Sequence, residues 1–329
     1  MTQVVATTTG LYPLPDWAKD ELANLKGHQR SDLIDGEEGP EITSAYDQAR
    51  EDVIEAQQAA GLDRVVEGQL RWDDMLAHPL SVHDAVETRG IVRYYDNNNF
   101  YREPVVEGEL TFDGDVGAEL DAAAELAEEG LQAVLPGPYS LADLATDEYY
   151  GDEAAFLDAI ADFLAEETGS FPDVETLFLL EPSLVTDPPA DGGEHASEAI
   201  DTVADAIDAD VVVQTYWGAL EEKVHAYLLD AGIDAVGYDL VSDHEQAIHN
   251  VNEYGTTDDV ALGLVDGQNT LVETPAEIRE RIEWFLGETT NDFETIYATP
   301  NTELLYLPDN KFEAKLDALA AATTEAIDQ

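Results

Sequence analysis

Residues 194–216 read EHASEAIDTVADAIDADVVVQTY, and this stretch decides the fold. Its first part is amphipathic and rich in alanine, which is typical of a helix, whereas VVVQTY (211–216) has the β-branched run of a buried strand. The pattern repeats at once, because ALEEKVHAYLLDAG (219–232) predicts a second helix and DAVGYD (234–239) a second buried strand. Helices that alternate with short buried strands indicate a parallel sheet in an α/β protein.

The same alternation extends along the chain. The predicted strands are VVATT (4–8), RVVEG (64–68), QAVLPG (132–137), TLFLLEP (176–182), VVVQTY (211–216), DAVGYD (234–239), VALGLV (260–265) and TIYATP (295–300). Eight short strands separated mostly by helices predict a (β/α)8 TIM barrel, formed by one domain over residues 1–329. A doubly wound sheet is the alternative, but no glycine-rich phosphate loop follows the first strand.

Three of the intervening helices have clear ends. The helices at 42–61 and 154–169 each finish on a glycine, a common C-terminal cap. The helix TPAEIRERIEWFLG (274–287) begins with Thr274 as a predicted N-cap and Pro275 at the first helical position. One segment breaks the alternation: RGIVRYYDNNNFYREPVVEGELTF (89–112) predicts an inserted hairpin or long loop between the second and third barrel strands.

The charge balance excludes several classes of partner. The chain has 14 lysine and arginine residues against 73 aspartate and glutamate residues, a net charge of −59. Such a field repels nucleic acid and anionic membranes. The acids are spread over the whole sequence, which predicts a halophilic protein of archaeal type whose self-repulsion is screened by salt. With no cysteine and no long apolar run, we expect neither a thiolate metal site nor a membrane span, and a cytoplasmic location.

The ends of the strands predict where a site would lie, because TIM barrels bind ligands at the C-terminal ends of their strands. The stretch VVVQTYWG (211–218) therefore brings Gln214, Tyr216 and Trp217 to the mouth of the barrel. These side chains form either part of a ligand pocket or an aromatic plug that fills the mouth. Tyrosine and tryptophan are also frequent anchors of protein interfaces.

The inserted segment offers a second candidate. RYYDNNNFYRE (93–103) combines aromatic rings with Asn99, Arg93 and Arg102 in a chain poor in basic residues. Rings stack on flat heterocycles, and arginine binds carboxylates in a bidentate manner. The alternative is a hairpin whose aromatic side chains pack across the strands and whose asparagines form the turn.

Five segments, taken in order, resemble cobalamin-independent methionine synthase. They are TTTGLYPLP (7–15), EGQLRWDDM (67–75), VLPGPYSLADLA (134–145), FLLEPSLV (178–185) and IYATPNTEL (296–304). The resemblance covers nearly the whole chain and implies a (β/α)8 barrel. It also implies methyl transfer from a methyl-tetrahydrofolate to homocysteine, and gives Asp74 a structural or binding role with a helix N-cap as the alternative.

The departures from the family are as informative as the matches. The family's His-x-Cys zinc ligands fall on Gln214 and Tyr216, its glutamate ligand falls near Asp239, and its second cysteine falls on Thr302. Of these four residues only an aspartate is an ordinary zinc ligand. Homocysteine-binding positions of the family are likewise replaced, by Leu11, Gln69 and Leu180.

The resemblance therefore implies a zinc-less barrel similar to the N-terminal, non-catalytic half of the two-barrel enzyme. We expect its partner to be a separately encoded zinc-bearing methionine synthase barrel, and its ligand to be methyl-tetrahydrofolate or a methyl-pterin. No metal is expected on this chain, and no catalytic residue is predicted. The alternatives are an independent zinc-free enzyme related to uroporphyrinogen decarboxylase and a pterin-binding module without turnover. The predicted pocket residues are Gln69, Asp74, Arg93, Asn99, Arg102, Glu181, Gln214, Tyr216, Trp217, Asp239 and Thr302.

Overall fold

Eight parallel strands lie side by side in the order that a barrel requires. The computed structural model describes residues 2–23, 38–95, 97–127, 129–190 and 192–324. In chain order the strands are β1 (Gln3–Ala6), β2 (Val65–Val66), β3 (Val86–Arg93), β4 (Phe100–Val106), β5 (Leu131–Pro136), β6 (Thr146–Asp147), β7 (Thr176–Leu180), β8 (Asp210–Gln214), β9 (Ala235–Asp239), β10 (Asp259–Val265) and β11 (Thr295–Pro300). The large sheet has the order β1-β11-β10-β9-β8-β7-β5-β2, so all eight predicted barrel strands are confirmed.

The two end strands of this sheet are joined by a short set of hydrogen bonds. The backbone N–H groups of Asp63 and Arg64 donate to the carbonyl of Ala6, at 3.0 and 3.2 Å. The Asp63 carboxylate in turn accepts from the Ala6 N–H at 2.8 Å. A side chain thus supplies part of the link between β1 and the segment that leads into β2.

Helices cover the outside of the sheet. They are α1 (Asp16–Leu22), α2 (Pro40–Ala60), α3 (His78–Ser81), α4 (Asp115–Ala124), α5 (Pro138–Asp143), α6 (Glu153–Thr168), α7 (Ser183–Thr186), α8 (Glu194–Ala204), α9 (Glu222–Leu228), α10 (His244–Tyr254), α11 (Pro275–Glu288) and α12 (Asp309–Thr323). In α11 the buried residues Ile278, Ile282 and Phe285 follow the spacing of one helix face. Among the described helices none is long and apolar enough to cross a membrane.

The predicted helix ends are confirmed in their positions. Gly61 after α2 has φ +87°, the left-handed conformation that glycine adopts without strain. Thr274 caps α11 through a reciprocal pair of hydrogen bonds with Glu277. Gly169 follows α6 as predicted, but its φ of −63° is right-handed, so that position does not require glycine.

The inserted segment is a hairpin, as the sequence predicts, although it occupies 86–106 rather than 89–112. Strands β3 and β4 pair antiparallel, and a register shift lies between Thr88 and Ile91. The short strand β6 adds to β4 in parallel and makes a separate three-stranded sheet. This third strand has only two residues, too few to give a sequence pattern.

Candidate functional site

The ends of β1 and β2 are locked to each other. Gln69, with φ +50°, places its side-chain oxygen 2.8 Å from the Leu11 N–H, from which it accepts a hydrogen bond. A Cβ on Gly10 would lie 2.2 Å from the same Gln69 oxygen, so only glycine fits there. Gln69 is therefore buried and joins two loops.

Glu181, at the end of β7, is likewise buried and paired. Its carboxylate accepts hydrogen bonds from the backbone N–H groups of Tyr139 and Ser140, at 3.0 and 2.7 Å, and from the Ser140 hydroxyl at 2.6 Å. Desolvation by burial raises its pKa to about 7, and these donors oppose the rise. Glu181 thus organises the start of α5.

Arg102 does not extend to the barrel mouth, because Asp74 binds it. The Asp74 carboxylate accepts from Nε of Arg102 at 3.0 Å and from its Nη2 at 2.6 Å. Asp74 precedes a 3-10 turn at Met75–Ala77 but makes no side-chain cap there. The pair instead fastens β4, close to the hairpin tip, to that turn.

The tip of the hairpin crosses the mouth of the barrel. The Tyr95 hydroxyl lies 2.9 Å from the Ser183 hydroxyl, beyond β7, and the Asn97 amide donates to the Tyr306 hydroxyl, beyond β11, at 3.1 Å. The Tyr95 ring also lies 4.9 Å from that of Trp217, beyond β8. Three separate strand ends therefore touch the hairpin tip.

The two remaining hairpin candidates lie in different places. Asn99 is half-buried, and its backbone carbonyl accepts from Tyr94 at 2.9 Å to close the turn. The Arg93 side chain is exposed on β3, opposite Phe100. Asparagines do form this turn, as the alternative interpretation of the segment predicts.

Asp239, at the end of β9, connects three loops of the mouth. One carboxylate oxygen accepts from the N–H groups of Val241 and Ser242, at 3.0 and 2.9 Å, and from the Asn301 amide at 3.1 Å. The other accepts from the Trp217 N–H at 2.9 Å. Burial raises the pKa of Asp239, and these donors oppose that rise. Trp217 is held with φ +69°, a strained conformation for an aromatic residue.

A cavity of about 400 Å³ opens beside this group of loops. Its lining comes from the segments that follow four neighbouring strands, β8 to β11, which is the place where a TIM barrel carries its site. The lining residues are Trp217, Val241, Ser242, Asp266, Gln268, Asn269, Thr270 and Asn301. Of the predicted pocket residues only Trp217 lines this cavity, and Asp239 lies directly behind it.

The other residues predicted at the mouth are buried. Gln214 is fully buried, and its amide nitrogen donates to the Thr215 carbonyl at 2.8 Å. Thr302 is buried, and its hydroxyl donates to the Glu303 carbonyl at 3.2 Å. The Tyr216 ring is buried and lies 4.9 Å from the Trp217 ring. These contacts match the predicted aromatic plug better than an open pocket.

Glu303 is a buried acid that the sequence analysis missed. It is 1% exposed, and desolvation by burial raises its pKa to about 7. The only available signal was an acid between Thr302 and Leu304, just after a strand. In a chain with 73 acidic residues, one acid at a strand end carries little information.

Comparison with known proteins decides the family. The family of the cobalamin-independent synthase N-terminal domain matches residues 83–287 of this chain, well over half of its length. The chain belongs to the cobalamin-independent methionine synthase family. The match begins in the segment before the hairpin and ends in α11, so it contains the hairpin and five of the six barrel strands from β5 onward in full.

Individual relatives agree with this assignment. The methionine synthase of Sulfurisphaera tokodaii is 23% identical over 306 residues, which cover 92% of this chain and 86% of the relative. That of Saccharolobus solfataricus is 23% identical over 298 residues. Among solved structures, a B12-independent methionine synthase from Shewanella sp. W3-18-1 superposes with a TM-score of 0.79 at 18% identity, covering 97% of this chain and 96% of the other. The likeness between these structures establishes the fold.

The residues that the resemblance assigns to the family's zinc positions, Gln214, Tyr216, Asp239 and Thr302, are poorly suited to that metal. A zinc site takes imidazole, thiolate or carboxylate ligands, and of the four residues only Asp239 offers one. Both oxygens of Asp239 already accept hydrogen bonds from neighbouring loops. Within the described parts of the chain, no group of three or more histidine or acidic side chains is placed to hold a metal ion.

Proposed function

We propose that this chain acts in methionine biosynthesis as the methyl-donor-binding partner of a separately encoded, zinc-bearing methionine synthase barrel. The observation that carries the proposal is the contrast at the mouth of the barrel. The residues that the resemblance assigns to the family's zinc positions are buried and do not fit zinc, whereas a cavity beside them is open. A barrel built in this way favours ligand binding over thiol activation.

The chemistry of the cavity suits a methyl-pterin. Trp217 is half-buried and lines the cavity, where its ring is available for stacking on a flat heterocycle. The Asp266 carboxylate accepts hydrogen bonds, as the amino-pyrimidinone edge of a pterin requires, and the Asn269 and Asn301 amides both donate and accept. Of the two arginines predicted to bind a glutamate tail, Arg102 is bound by Asp74.

Two experiments test this function. The first co-expresses the chain with a zinc-bearing methionine synthase barrel and measures methyl transfer by each protein alone and by both together. We expect a stable complex, and activity only when both are present. Full activity of the zinc-bearing barrel alone, with no complex formed, would overturn the partner role.

The second experiment measures binding of a methyl-tetrahydropterin by calorimetry. Loss of one stacked ring weakens binding about tenfold or more, so Trp217→Ala should lose most of the affinity. Trp284→Phe is the matched control, because Trp284 lies on α11 and does not line the cavity. Equal affinity in Trp217→Ala and in the wild-type protein would exclude this cavity as the donor site.

A further inference from the structure

Half of the residues that line the open cavity donate a hydrogen bond to one buried carboxylate, that of Asp239, which is 1% exposed. One of its oxygens accepts from the backbone N–H groups of Val241 and Ser242. The same oxygen accepts from the Asn301 amide, and the other accepts from the Trp217 N–H. These four donors come from the segments that follow β8, β9 and β11. One side chain therefore joins three of the four segments that form the cavity wall.

Asn301 extends this network to the fourth segment, the loop after β10. Its amide nitrogen donates to Asp239, and its amide oxygen accepts from the Gly267 N–H at 3.0 Å. A Cβ on Gly267 would lie 2.5 Å from the Thr302 hydroxyl oxygen, so the loop packs against the segment after β11 as closely as glycine alone permits. The remaining lining residues all belong to this loop: Asp266, Gln268, Asn269 and Thr270. Every segment of the cavity wall is thus connected to Asp239, directly or through Asn301.

Trp217 is the lining residue whose backbone most needs support. Its φ of +69° is unfavourable for an aromatic residue and persists only where the surrounding structure holds it. The Asp239 carboxylate accepts the hydrogen bond from the N–H group of this same residue, at 2.9 Å. The Trp217 ring in turn lies 4.9 Å from the rings of Tyr95 and Tyr216. The hydrogen bond to Asp239 therefore holds the backbone from which the indole ring reaches the cavity.

We propose that Asp239 is the positioning residue of the methyl-donor site, where its carboxylate holds the Trp217 ring and the Asn301 amide in the arrangement that binds a methyl-pterin. The inference rests on the proposed function, because it takes the ligand of the cavity to be that donor. Asp239 does not line the cavity and acts only through the residues that it holds. The resemblance places the family's glutamate zinc ligand near this position. An acid at the place of a metal ligand thus serves here to shape a cavity for an organic ligand.

The test measures binding of a methyl-tetrahydropterin to the full chain by calorimetry, for the wild-type protein and for Asp239→Asn. Asparagine keeps the size of the side chain but has a single acceptor oxygen, so its NH2 group faces either the Trp217 N–H or the other three donors. We expect the affinity to fall about tenfold or more. Asp259→Asn is the matched control, because Asp259 is half-buried and accepts from the Thr295 N–H at 2.7 Å, at the opposite end of the barrel. This control should bind as the wild-type protein does.

A double-mutant cycle separates positioning from general destabilisation. If Asp239 acts through Trp217, Asp239→Asn should weaken binding much less in the Trp217→Ala background than in the wild-type protein, because the ring that it positions is already absent. A loss of stability without a positioning role would weaken binding equally in both backgrounds.

Near-ultraviolet circular dichroism of the protein without ligand supplies an independent measurement. The contribution of Trp217 is assigned by comparison with Trp217→Phe, and it depends on the fixed contacts of this ring with Tyr95 and Tyr216. We expect Asp239→Asn to lose most of that contribution and Asp259→Asn to keep it.

Different results would overturn the two proposals. If the wild-type protein binds no methyl-tetrahydropterin, the methyl-donor function of the cavity is wrong, and the positioning role for that ligand is wrong with it. If the wild-type protein and Asp239→Asn bind the ligand equally, the methyl-donor function stands and the positioning role is wrong. The role is also wrong if Asp239→Asn weakens binding equally in both backgrounds, or if it leaves the Trp217 dichroism unchanged.

Discussion

At the scale of single residues, burial of Glu303 makes stability depend on pH. Its pKa is about 7 in the folded protein against an ordinary value of 4.5, so the folded state holds a proton that the unfolded state has lost between these values. Stability should therefore fall as the pH rises through this window. Ionisation of Glu303 should lower the free energy of unfolding by at most about 3 kcal/mol.

The change Glu303→Gln should remove the loss of stability that ionisation of Glu303 causes. The variant should therefore be more stable than the wild-type protein above pH 7. Denaturant unfolding at several pH values measures it, with Glu283→Gln as the control for loss of one negative charge. Glu181 and Glu67 also have raised pKa values, of about 7 and about 8, so part of the decline should persist in the variant. If the stability of Glu303→Gln depended on pH as steeply as that of the wild-type protein, the raised pKa of Glu303 would be contradicted.

Part of the candidate site could be predicted from the residues of the sequence, and part could not. Trp217 and Asp239 could be placed at the mouth because each follows a strand whose end the sequence defines. That Asp239 would accept four hydrogen bonds from three loops could not be predicted, since its donors come from loops whose conformation the sequence does not define. Glu303 was missed because acids are frequent everywhere in this chain.

At the scale of elements, the pair between Arg102 and Asp74 should hold the hairpin on the barrel. Arg102→Gln leaves a nearly buried carboxylate without its guanidinium partner, so we expect faster amide exchange over the segment 94–102 and a loss of about 2–4 kcal/mol. Hydrogen exchange measured by mass spectrometry reports both the exchange rates of these amides and the loss of stability. Ile91→Thr on the same hairpin is the control, because the Ile91 side chain is exposed. Equal exchange in the two variants would show that the pair does not fasten the hairpin.

The loop after β10 depends on a second buried ion pair. Lys315 of α12 donates to Glu273 and to the Leu271 carbonyl, each at 2.6 Å, and Glu273 accepts from the Asp266 N–H at 2.9 Å. This loop carries Gln268, Asn269 and Thr270 of the cavity.

We expect Lys315→Met to cost about 3–5 kcal/mol, because it leaves the Glu273 charge buried and unpaired. The double variant Lys315→Met/Glu273→Gln should recover much of that loss. Lys311→Met on the same helix is the control for removal of a lysine, and chemical unfolding is the measurement. If the double variant were no more stable than Lys315→Met, the unpaired charge would not be the cause.

The elements themselves could be predicted well, and for a physical reason. A buried parallel strand is a short apolar run, and the helices between such strands show a clear periodicity, so the eight barrel strands stand out. The two-residue strand β6 and the path of the hairpin across the mouth depend on tertiary contacts such as that between Asn97 and Tyr306. Contacts between residues 209 positions apart leave no local pattern.

At the scale of the whole molecule, the net charge of −59 should make the fold depend on salt. Repulsion among surface carboxylates destabilises the compact state and is screened over about 3 Å at 1 M salt. We expect the melting temperature to rise steeply with potassium chloride concentration, as measured by circular dichroism. A variant with several exposed acids on α11 replaced by glutamine should show a weaker dependence, and a melting temperature independent of salt would disprove a halophilic adaptation.

The pairing of β1 with β11 has a consequence for the folding of the protein during its synthesis on the ribosome. Gln3 lies beside Thr295, so the first strand has no neighbour on that side until almost the entire chain has been synthesised. At about 5–20 residues per second the wait is on the order of half a minute. During that time an open strand edge is available for wrong pairing. The nascent chain should therefore need a chaperone or dense negative charge to keep it from aggregating, and its many carboxylates supply the latter.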